Sequence, residues 1–107
     1  MRILIAEDDR ISRSFLQKFM QSYGEVDIAV DGMEAVDLYM DSIKQNNRYD
    51  LLCLDIMMPK VDGLKVFKVI RQLEKNKTLR NALKNDAAHE DLKNALKSLL
   101  AELEDAD

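Results

Sequence analysis

Acidic residues follow two short apolar runs of the sequence. Glu7 and Asp8 come directly after the run at residues 2–6, and Asp55 comes directly after Leu51–Leu54. If these runs are neighbouring strands of a parallel sheet, the acids converge beyond the carboxyl ends of the strands, where open α/β sheets bind their ligands. Clustered carboxylates repel one another unless a cation enters, and Mg²⁺ is a hard cation that prefers oxygen ligands. A carboxylate beside Mg²⁺ can also attack phosphorus, because the ion neutralises the phosphoryl oxygens.

Three predicted strands alternate with three predicted helices in the first two thirds of the chain. The strands are expected at residues 2–6, 26–30 and 51–54, because each is a short apolar run bounded by polar residues. Pro59 and Gly63 prevent the third strand from continuing and mark the approach to a helix. This order predicts an α/β fold: a three-stranded parallel sheet in the order 2-1-3 with right-handed crossovers, which is a flavodoxin-like half-domain.

Helical spacing of apolar residues predicts the helices that join these strands. The first is expected over residues 10–23, with Asp9 as its cap and Gly24 as its stop. The second is expected to follow the cap Asp31, with Glu34 three residues on. The predicted apolar stripes are Ile11, Phe15, Leu16, Phe19, Met20 and Tyr23 in the first helix, Ala35, Val36, Tyr39, Met40 and Ile43 in the second, and Leu64, Phe67, Ile70 and Leu73 in the third.

The chain changes character after about Glu74 and is expected to be helical from there on. An amphipathic helix is predicted over residues 87–104, capped by Asp86, with its Lys and Glu side chains on a solvated face. Its apolar stripe comprises Leu92, Leu96, Leu99 and Leu103, widened by Ala95 and Leu100. We therefore divide the chain into a half-domain over residues 1–74 and a helical extension over residues 75–107, which packs on it or on a partner chain.

Length and composition limit the classes of function. A chain of 107 residues suits one globular domain, and its net charge of -4 disfavours binding to nucleic acid. The single cysteine, Cys53, lies in an apolar run and is expected to be a small buried side chain. The apolar start ends at Glu7, too soon for an export signal, and no run is long enough to cross a membrane. We expect a cytoplasmic protein that binds no membrane.

Three segments together resemble the receiver domain of two-component response regulators, over residues 1 to about 74. They are Ile3-Leu4-Ile5-Ala6-Glu7-Asp8-Asp9, Asp31-Gly32, and Asp55-Ile56-Met57-Met58-Pro59-Lys60-Val61-Asp62-Gly63. The resemblance implies that Asp55 is phosphorylated, that Asp8 binds Mg²⁺ directly and that Glu7 acts mainly through water. It also implies that the backbone carbonyl of Met57 is a ligand and that the partner is a histidine kinase or phosphotransfer protein. It implies no enzymatic activity beyond self-phosphorylation from a phosphodonor and autodephosphorylation.

The C-terminal third departs from that family. A receiver continues with two more strands, one that ends in Ser or Thr and one that ends in Lys, and both are expected beside the phosphoryl group. Thr78 and the lysines between residues 60 and 97 follow no apolar run here. The sequence is therefore typical of a truncated, chimeric or designed receiver. The alternative to a phosphoacceptor is a structural or oligomerisation module with a vestigial acidic pocket.

Without a fourth strand, the edge of the third strand and the apolar faces of helices one and three need another cover. The helix at 87–104 is one candidate, and a homodimer through that helix or through the third-strand edge is the other.

His89 and the methionines also have two interpretations each. His89 is expected to pack at the boundary of the last helix, although it weakly resembles the phosphohistidine of sensor kinases, which would make the chain a phosphorelay piece. The methionines at positions 20, 33, 40, 57 and 58 are expected to fill the core rather than to bind metal.

Overall fold

The structure is a computed structural model that describes residues 1–55, 58 and 62–105. Its strands are β1 (Arg2–Ala6), β2 (Glu25–Ala29) and β3 (Leu51–Leu54), and its helices are α1 (Arg10–Met20), α2 (Gly32–Lys44), α3 (Gly63–Lys75), α4 (Lys77–Leu83) and α5 (His89–Asp105). All strand pairs are parallel and the order is β2-β1-β3. The predicted fold is confirmed.

The two faces of the sheet meet different helices. The chain crosses from β1 to β2 and then back over β1 to β3, so right-handed connections place α1 on one face and α2 with α3 on the other. Leu4 and Ala6 of β1 belong to the core on the α2 and α3 face. Ile3 and Ile5 alternate with them, are also fully buried, and face α1.

The main core lies between the sheet, α2 and α3. Every member of the predicted α2 stripe is buried, which confirms that prediction. In α3, Ile70 and Leu73 are buried as predicted, together with Val66. The prediction was wrong for Leu64 and Phe67, which are exposed because they lie on the side of α3 that faces away from α2 and toward the open side of β3.

Helix α1 leaves most of its apolar stripe uncovered. Asp9 caps it as predicted, accepting a 2.8 Å hydrogen bond from the Ser12 amide, but the helix ends at Met20, three residues before the predicted end. Its stripe and the following turn remain 57–81% exposed at Ile11, Phe15, Phe19 and Tyr23. Among the described helices and strands, the main contacts of α1 are with β1 and β2.

Gly24 serves a different purpose from the predicted helix stop. Its φ is not positive, so no left-handed turn requires glycine. A Cβ at this position would instead clash with the carbonyl oxygen of Met1. That carbonyl accepts a 2.9 Å hydrogen bond from the Glu25 amide, so glycine permits the close approach of the two backbones.

Helices α4 and α5 pack on α2, and their buried leucines extend the main core. Leu83 and Leu100 are buried there and Leu92 and Leu96 are partly buried, whereas Leu99 is 56% exposed. Of the two candidate covers for the edge of β3, this helix is not the one that the described residues show, because it packs against α2 and α4.

The start of α5 also differs from the prediction. Asp86 does not cap the helix; it is exposed and pairs with Lys44 at 3.5 Å. The carboxamide of Asn85 accepts hydrogen bonds from the amides of Ala87 and Ala88 instead, and the helix begins at His89. Asn85 thus caps the turn that leads into α5, one residue before the predicted cap.

Charged groups join α5 to α2, and we call Asp37, Asp41, His89, Lys93 and Lys97 the α2–α5 network. Lys93 is only 6% exposed. Its ammonium lies 2.8 Å from Asp41 and 3.3 Å from Asp37, and Lys97 donates to Asp37 at 2.7 Å. Burial opposes the charge of Lys93, but the hydrogen bond and charge of Asp41 and the charge of Asp37 outweigh it and raise the pKa of Lys93. The predicted solvated face was therefore wrong for this lysine, because α2 supplies two carboxylates opposite it.

A second polar cluster joins β1 and β2 to the segment before β3. The Tyr49 hydroxyl donates to Asp27 at 2.6 Å, and the Arg2 guanidinium pairs with Asp27 at 2.8 Å while it stacks over the Tyr49 ring. Burial and then the Asp27 carboxylate raise the pKa of Tyr49 above that of free tyrosine. These contacts fix the entry into β3.

Two expectations about organisation remain. In the described part of the chain, no helix combines the length and the apolar character that a membrane span requires. The division at about residue 74 stays a prediction, although α4 and α5 do pack on the preceding helices.

Candidate functional site

Two ladder hydrogen bonds bring the predicted acids to the same end of the sheet. The Glu7 amide donates to the carbonyl of Ala29 at 3.1 Å, which extends β1 past its last residue. The Asp55 amide donates to the carbonyl of Ala6 at 3.0 Å, which does the same for β3. Both side chains therefore start from backbone that is held by the sheet.

The carboxylates of Glu7, Asp8 and Asp55 converge at this end. One oxygen from each lies within 4.8 Å of the others. Oxygens that share one octahedral Mg²⁺ ion lie about 2.9–4.2 Å apart, so small side-chain rotations bring the three into range. The Oε2 atom of Glu7 is buried and has no hydrogen-bond partner among the described residues. An orphaned buried carboxylate oxygen beside two more carboxylates fits a divalent cation.

The surroundings of Glu7 also disfavour its ionised form. Burial, then a hydrogen bond to Asp55, then the charges of Asp55 and Asp8 raise the pKa of Glu7 to about 7. A hydrogen bond with the backbone at Asp9 opposes this rise only in part. The cluster therefore favours a proton on Glu7, and a divalent cation that bound there would displace it.

Arg13 holds the loop that carries Glu7 and Asp8. Its Nη1 donates to the carbonyl of Glu7 at 3.0 Å and to that of Asp8 at 3.3 Å. Sequence reasoning missed this residue, since nothing in its spacing distinguishes it from other helix-surface arginines. The only signal was its place in the first turn of the helix that follows the acids. With the Asp9 cap, Arg13 fixes the direction in which the loop leaves β1.

The loop after Asp55 is described only in part. Met57, whose carbonyl was predicted to bind Mg²⁺, lies outside the described residues. Met58 is 6% exposed and belongs to the main core, as predicted for a core-filling methionine. Asp62 caps α3 by accepting a 2.9 Å hydrogen bond from the Lys65 amide. The roles of the predicted site residues stay predictions.

Among the described residues after α3, the regular secondary structure is all helical. Thr78 lies in α4 and Lys93 and Lys97 lie in α5, where both lysines pair with carboxylates of α2. The predicted absence of strands that end in Ser, Thr or Lys therefore holds for residues 62–105.

His89 occupies the α2–α5 network and not the acidic site. It is 2% exposed; Nδ1 lies 2.7 Å from the Leu83 carbonyl and Nε2 lies 3.0 Å from Asp41. Both ring nitrogens are engaged inside the protein, so the packing interpretation is supported and a phosphohistidine at this position is not. Asp41, His89 and Glu90 also approach one another closely enough to hold a metal ion, but Lys93 already supplies the cation there.

Sequence comparison gives the family. The model of the response regulator receiver domain matches residues 3–105. The response regulator MprA of Mycobacterium sp. (strain KMS) is 43% identical over 72 residues, which are 66% of this chain and 29% of that protein. Transcription factor prr1 of Schizosaccharomyces pombe is 43% identical over 77 residues, 70% of this chain and 13% of that protein. The chain thus spans less than a third of the length of these curated relatives.

Solved structures agree with the sequence match. The receiver domain of the histidine kinase CKI1 from Arabidopsis thaliana, complexed with Mg²⁺ and BeF₃⁻, superposes with a TM-score of 0.65 at 28% identity, over 69% of this chain and 56% of that one. CheY in the CheX–CheY–BeF₃–Mg²⁺ complex of Borrelia burgdorferi gives a TM-score of 0.59 at 33% identity, over 71% and 56%. The sheet order, the acids at its carboxyl end and these matches have one explanation: the chain belongs to the response regulator receiver domain family.

Proposed function

We propose that this receiver domain accepts a phosphoryl group on Asp55 with Mg²⁺ held by Glu7, Asp8 and Asp55. The observation that carries the proposal is the convergence of the three carboxylates around the orphaned Oε2 of Glu7. The CKI1 receiver, which superposes on 69% of this chain, was solved with Mg²⁺ and BeF₃⁻, and this supports the same pair of ligands here. The carbonyl of Met57 is proposed as a further ligand on the resemblance alone.

Each residue has a separate task in this proposal. An oxygen of Asp55 forms a bond to phosphorus, while the bond from phosphorus to the leaving group breaks and its electron pair departs with that group. If the donor is a phosphohistidine of a histidine kinase or phosphotransfer protein, the leaving group is imidazole, which takes a proton from solvent. Bound Mg²⁺ supplies neutralisation of the phosphoryl oxygens. Asp8 and Glu7 hold the cation, and Arg13 holds the loop that carries them.

No turnover of another substrate is proposed. The described residues 62–105 place no hydroxyl or lysine from a fourth or fifth strand beside Asp55. Self-phosphorylation from a small phosphodonor and autodephosphorylation are therefore the only reactions that we assign. The missing side chains would otherwise hold the phosphoryl oxygens, so we expect a weakly populated phosphorylated state.

The lack of a hydroxyl or lysine from a further strand in the described residues 62–105 also favours a second candidate function, a structural module with a vestigial acidic pocket. Titration of the chain with Mg²⁺ and then beryllium fluoride, followed by NMR, separates the two. The phosphoacceptor predicts Mg²⁺-dependent shifts that beryllium fluoride extends, a mass gain of one phosphoryl group with acetyl phosphate, and loss of the mass gain in Asp55→Ala.

Asp86→Ala is the matched control, because Asp86 is an exposed acid far from the acidic cluster in sequence and paired with Lys44. It should behave as the parent. A parent chain that neither binds Mg²⁺ at millimolar concentration nor gains mass would leave the structural module as the function.

A further inference from the structure

The sheet has one edge that its own chain does not protect. Within the described residues, β3 pairs with β1 alone, so the other side of β3 presents unpaired backbone groups. A trough of about 430 Å³ runs along this edge. The apolar residues that line it are Leu51, Leu52, Leu54, Leu64 and Phe67.

The two edge strands differ in how they resist pairing with another chain. β2 carries the charged residues Glu25 and Asp27, which discourage a further strand, whereas β3 (Leu51–Leu54) carries no charge. Charged side chains, prolines and bulges are the usual protection of an exposed edge. The described part of β3 has none of these, and the flanking Leu64 and Phe67 are 54% and 47% exposed. An unprotected edge beside large exposed apolar side chains is typical of an interface.

We propose that a second copy of this chain pairs its β3 with this β3 in antiparallel orientation, which makes a continuous six-stranded sheet. Both copies present the same edge, so a two-fold axis perpendicular to the sheet is the operation that brings the edges together. That axis reverses the strand direction, and therefore the pairing is antiparallel. The inference is independent of the proposed phosphoryl chemistry.

The alternation of side chains restricts the register. Leu52 and Leu54 pair with Leu4 and Ala6 and face the main core, whereas Cys53 pairs with Ile5 and faces α1. Because the two-fold axis keeps each face on its own side, opposed residues must share a face. The axis therefore passes at a residue and not between two residues. Leu52 and Cys53 are nearest the middle of β3 and give the longest overlap, and either choice places Cys53 close to the partner's Cys53.

A second copy also accounts for the apolar surface beside the strand. Helix α3 lies over β3, so the axis brings the two α3 helices onto the same face, with Leu64 and Phe67 of each pointing toward the join. Stable interfaces bury about 800 Å² on each partner, and this face offers only a four-residue strand with Leu64 and Phe67 beside it, so the interface is a small one. The dimer should therefore be concentration dependent, with a dissociation constant on the order of micromolar. The trough contains one charged residue, Asp50, so no cluster of opposite charge selects a different partner.

Sedimentation equilibrium of the full chain, from low micromolar to near-millimolar concentration, tests this inference. The parent should pass from monomer to dimer. The double variant Leu64→Lys with Phe67→Glu changes two exposed side chains and should raise the dissociation constant at least tenfold, while circular dichroism remains that of the folded chain. The matched control is Phe15→Lys with Phe19→Glu on α1, which alters equally exposed side chains on the opposite face and should leave the dimer unchanged.

Chemical crosslinking gives a second measurement. A short bismaleimide should join two copies through Cys53 in the parent and the α1 variant, and not in the α3 variant. A parent that stays monomeric at the highest concentration overturns the proposal. So does a dimer that the α1 variant abolishes and the α3 variant retains, because the second copy would then dock on α1.

Discussion

Two clusters of carboxylates lie on this small domain, and they are satisfied in different ways. Asp37 and Asp41 face Lys93, Lys97 and His89, at distances of 2.7–3.3 Å. Oxygens of Glu7, Asp8 and Asp55 lie within 4.8 Å of one another, and a buried oxygen of Glu7 lacks a hydrogen-bond partner among the described residues. The first cluster contains its own cations, whereas the second relies on a proton or on a cation from solution.

The difference separates a structural ion-pair network from a ligand site. Asp41 with His89 and Glu90 has the residue types and the spacing for a metal ion, as the acidic site does, so residue type alone does not decide between the two clusters. The partners differ, since Asp41 faces Lys93 while the Oε2 of Glu7 has no described partner, and the pKa values shift accordingly: that of Asp41 is lowered because Lys93 and His89 outweigh its burial, and that of Glu7 is raised. The ionised form is favoured in one cluster and opposed in the other.

The largest effect is expected when the α2–α5 network loses its central cation. Lys93→Met keeps the apolar stem but leaves Asp41 with His89 alone, so the free energy of unfolding should fall by about 2–3 kcal/mol. Urea denaturation followed by circular dichroism measures this change. Lys68→Met, on the surface of α3, is the control and should change little. A Lys93 variant as stable as the parent would mean that the network does not hold α5 in place.

The opposite sign is expected at the acidic site. The pKa of Glu7 is raised in the fold, so its contribution to stability is full below pH 4.5 and is lost as the pH rises through about 7. Glu7→Gln removes that loss and should stabilise the metal-free chain by about 1 kcal/mol at pH 8, a value reduced for solvent screening. In thermal unfolding with EDTA, the midpoint temperature of Glu7→Gln should exceed that of the parent at pH 8 and equal it at pH 5. Equal stability of the parent and Glu7→Gln at pH 8 would contradict the inference that ionised Glu7 destabilises the metal-free fold.

A smaller effect is expected in the pH dependence of cation binding. Mg²⁺ must displace the proton of Glu7, so its apparent affinity should rise about tenfold from pH 6 to pH 8, and most of this rise should occur below pH 7.5. Isothermal titration calorimetry in buffers of different ionisation enthalpy measures both the affinity and the proton release. In Glu7→Gln the dependence should largely disappear. An affinity that does not change with pH would show that Glu7 takes no part in binding.

The smallest effect is expected at Arg13, which acts through the backbone. Arg13→Met removes the hydrogen bonds to the carbonyls of Glu7 and Asp8, and Mg²⁺ affinity should fall about three- to tenfold, less than the usual loss from outer-shell partners because Arg13 contacts the backbone and not the carboxylates. Arg10→Met, in the same helical turn, is the control. Equal losses in both variants would indicate a general effect of positive charge near the site.

Local chemistry made much of this molecule predictable. The strands at residues 2–6 and 51–54 have the predicted bounds, and Asp9 and Asp31 cap the helices as their sequence patterns indicated. The convergence of Glu7, Asp8 and Asp55 followed from sheet order, because acids that end neighbouring parallel strands must share one edge. In these cases a short pattern and the handedness of the connections contain the needed information.

The rest depended on contacts between residues far apart in the sequence. Lys93 and Asp41 are 52 positions apart, and helical periodicity does not show that a charge on one helix meets a carboxylate on another. The same reason explains the error over Leu64 and Phe67. Periodicity identified them as apolar, but it could not show that the described chain turns its last helix toward α2 and leaves β3 open.

The contacts of Tyr49 with Asp27 and Arg2 give the fold an intrinsic fluorescence signal. The chain has no tryptophan and three tyrosines, so its intrinsic emission comes from tyrosine alone. A phenol that donates to a carboxylate, as Tyr49 does to Asp27, is quenched by transfer of its proton in the excited state. Unfolding should therefore brighten the emission, and the docking of the segment before β3 can be followed without any label.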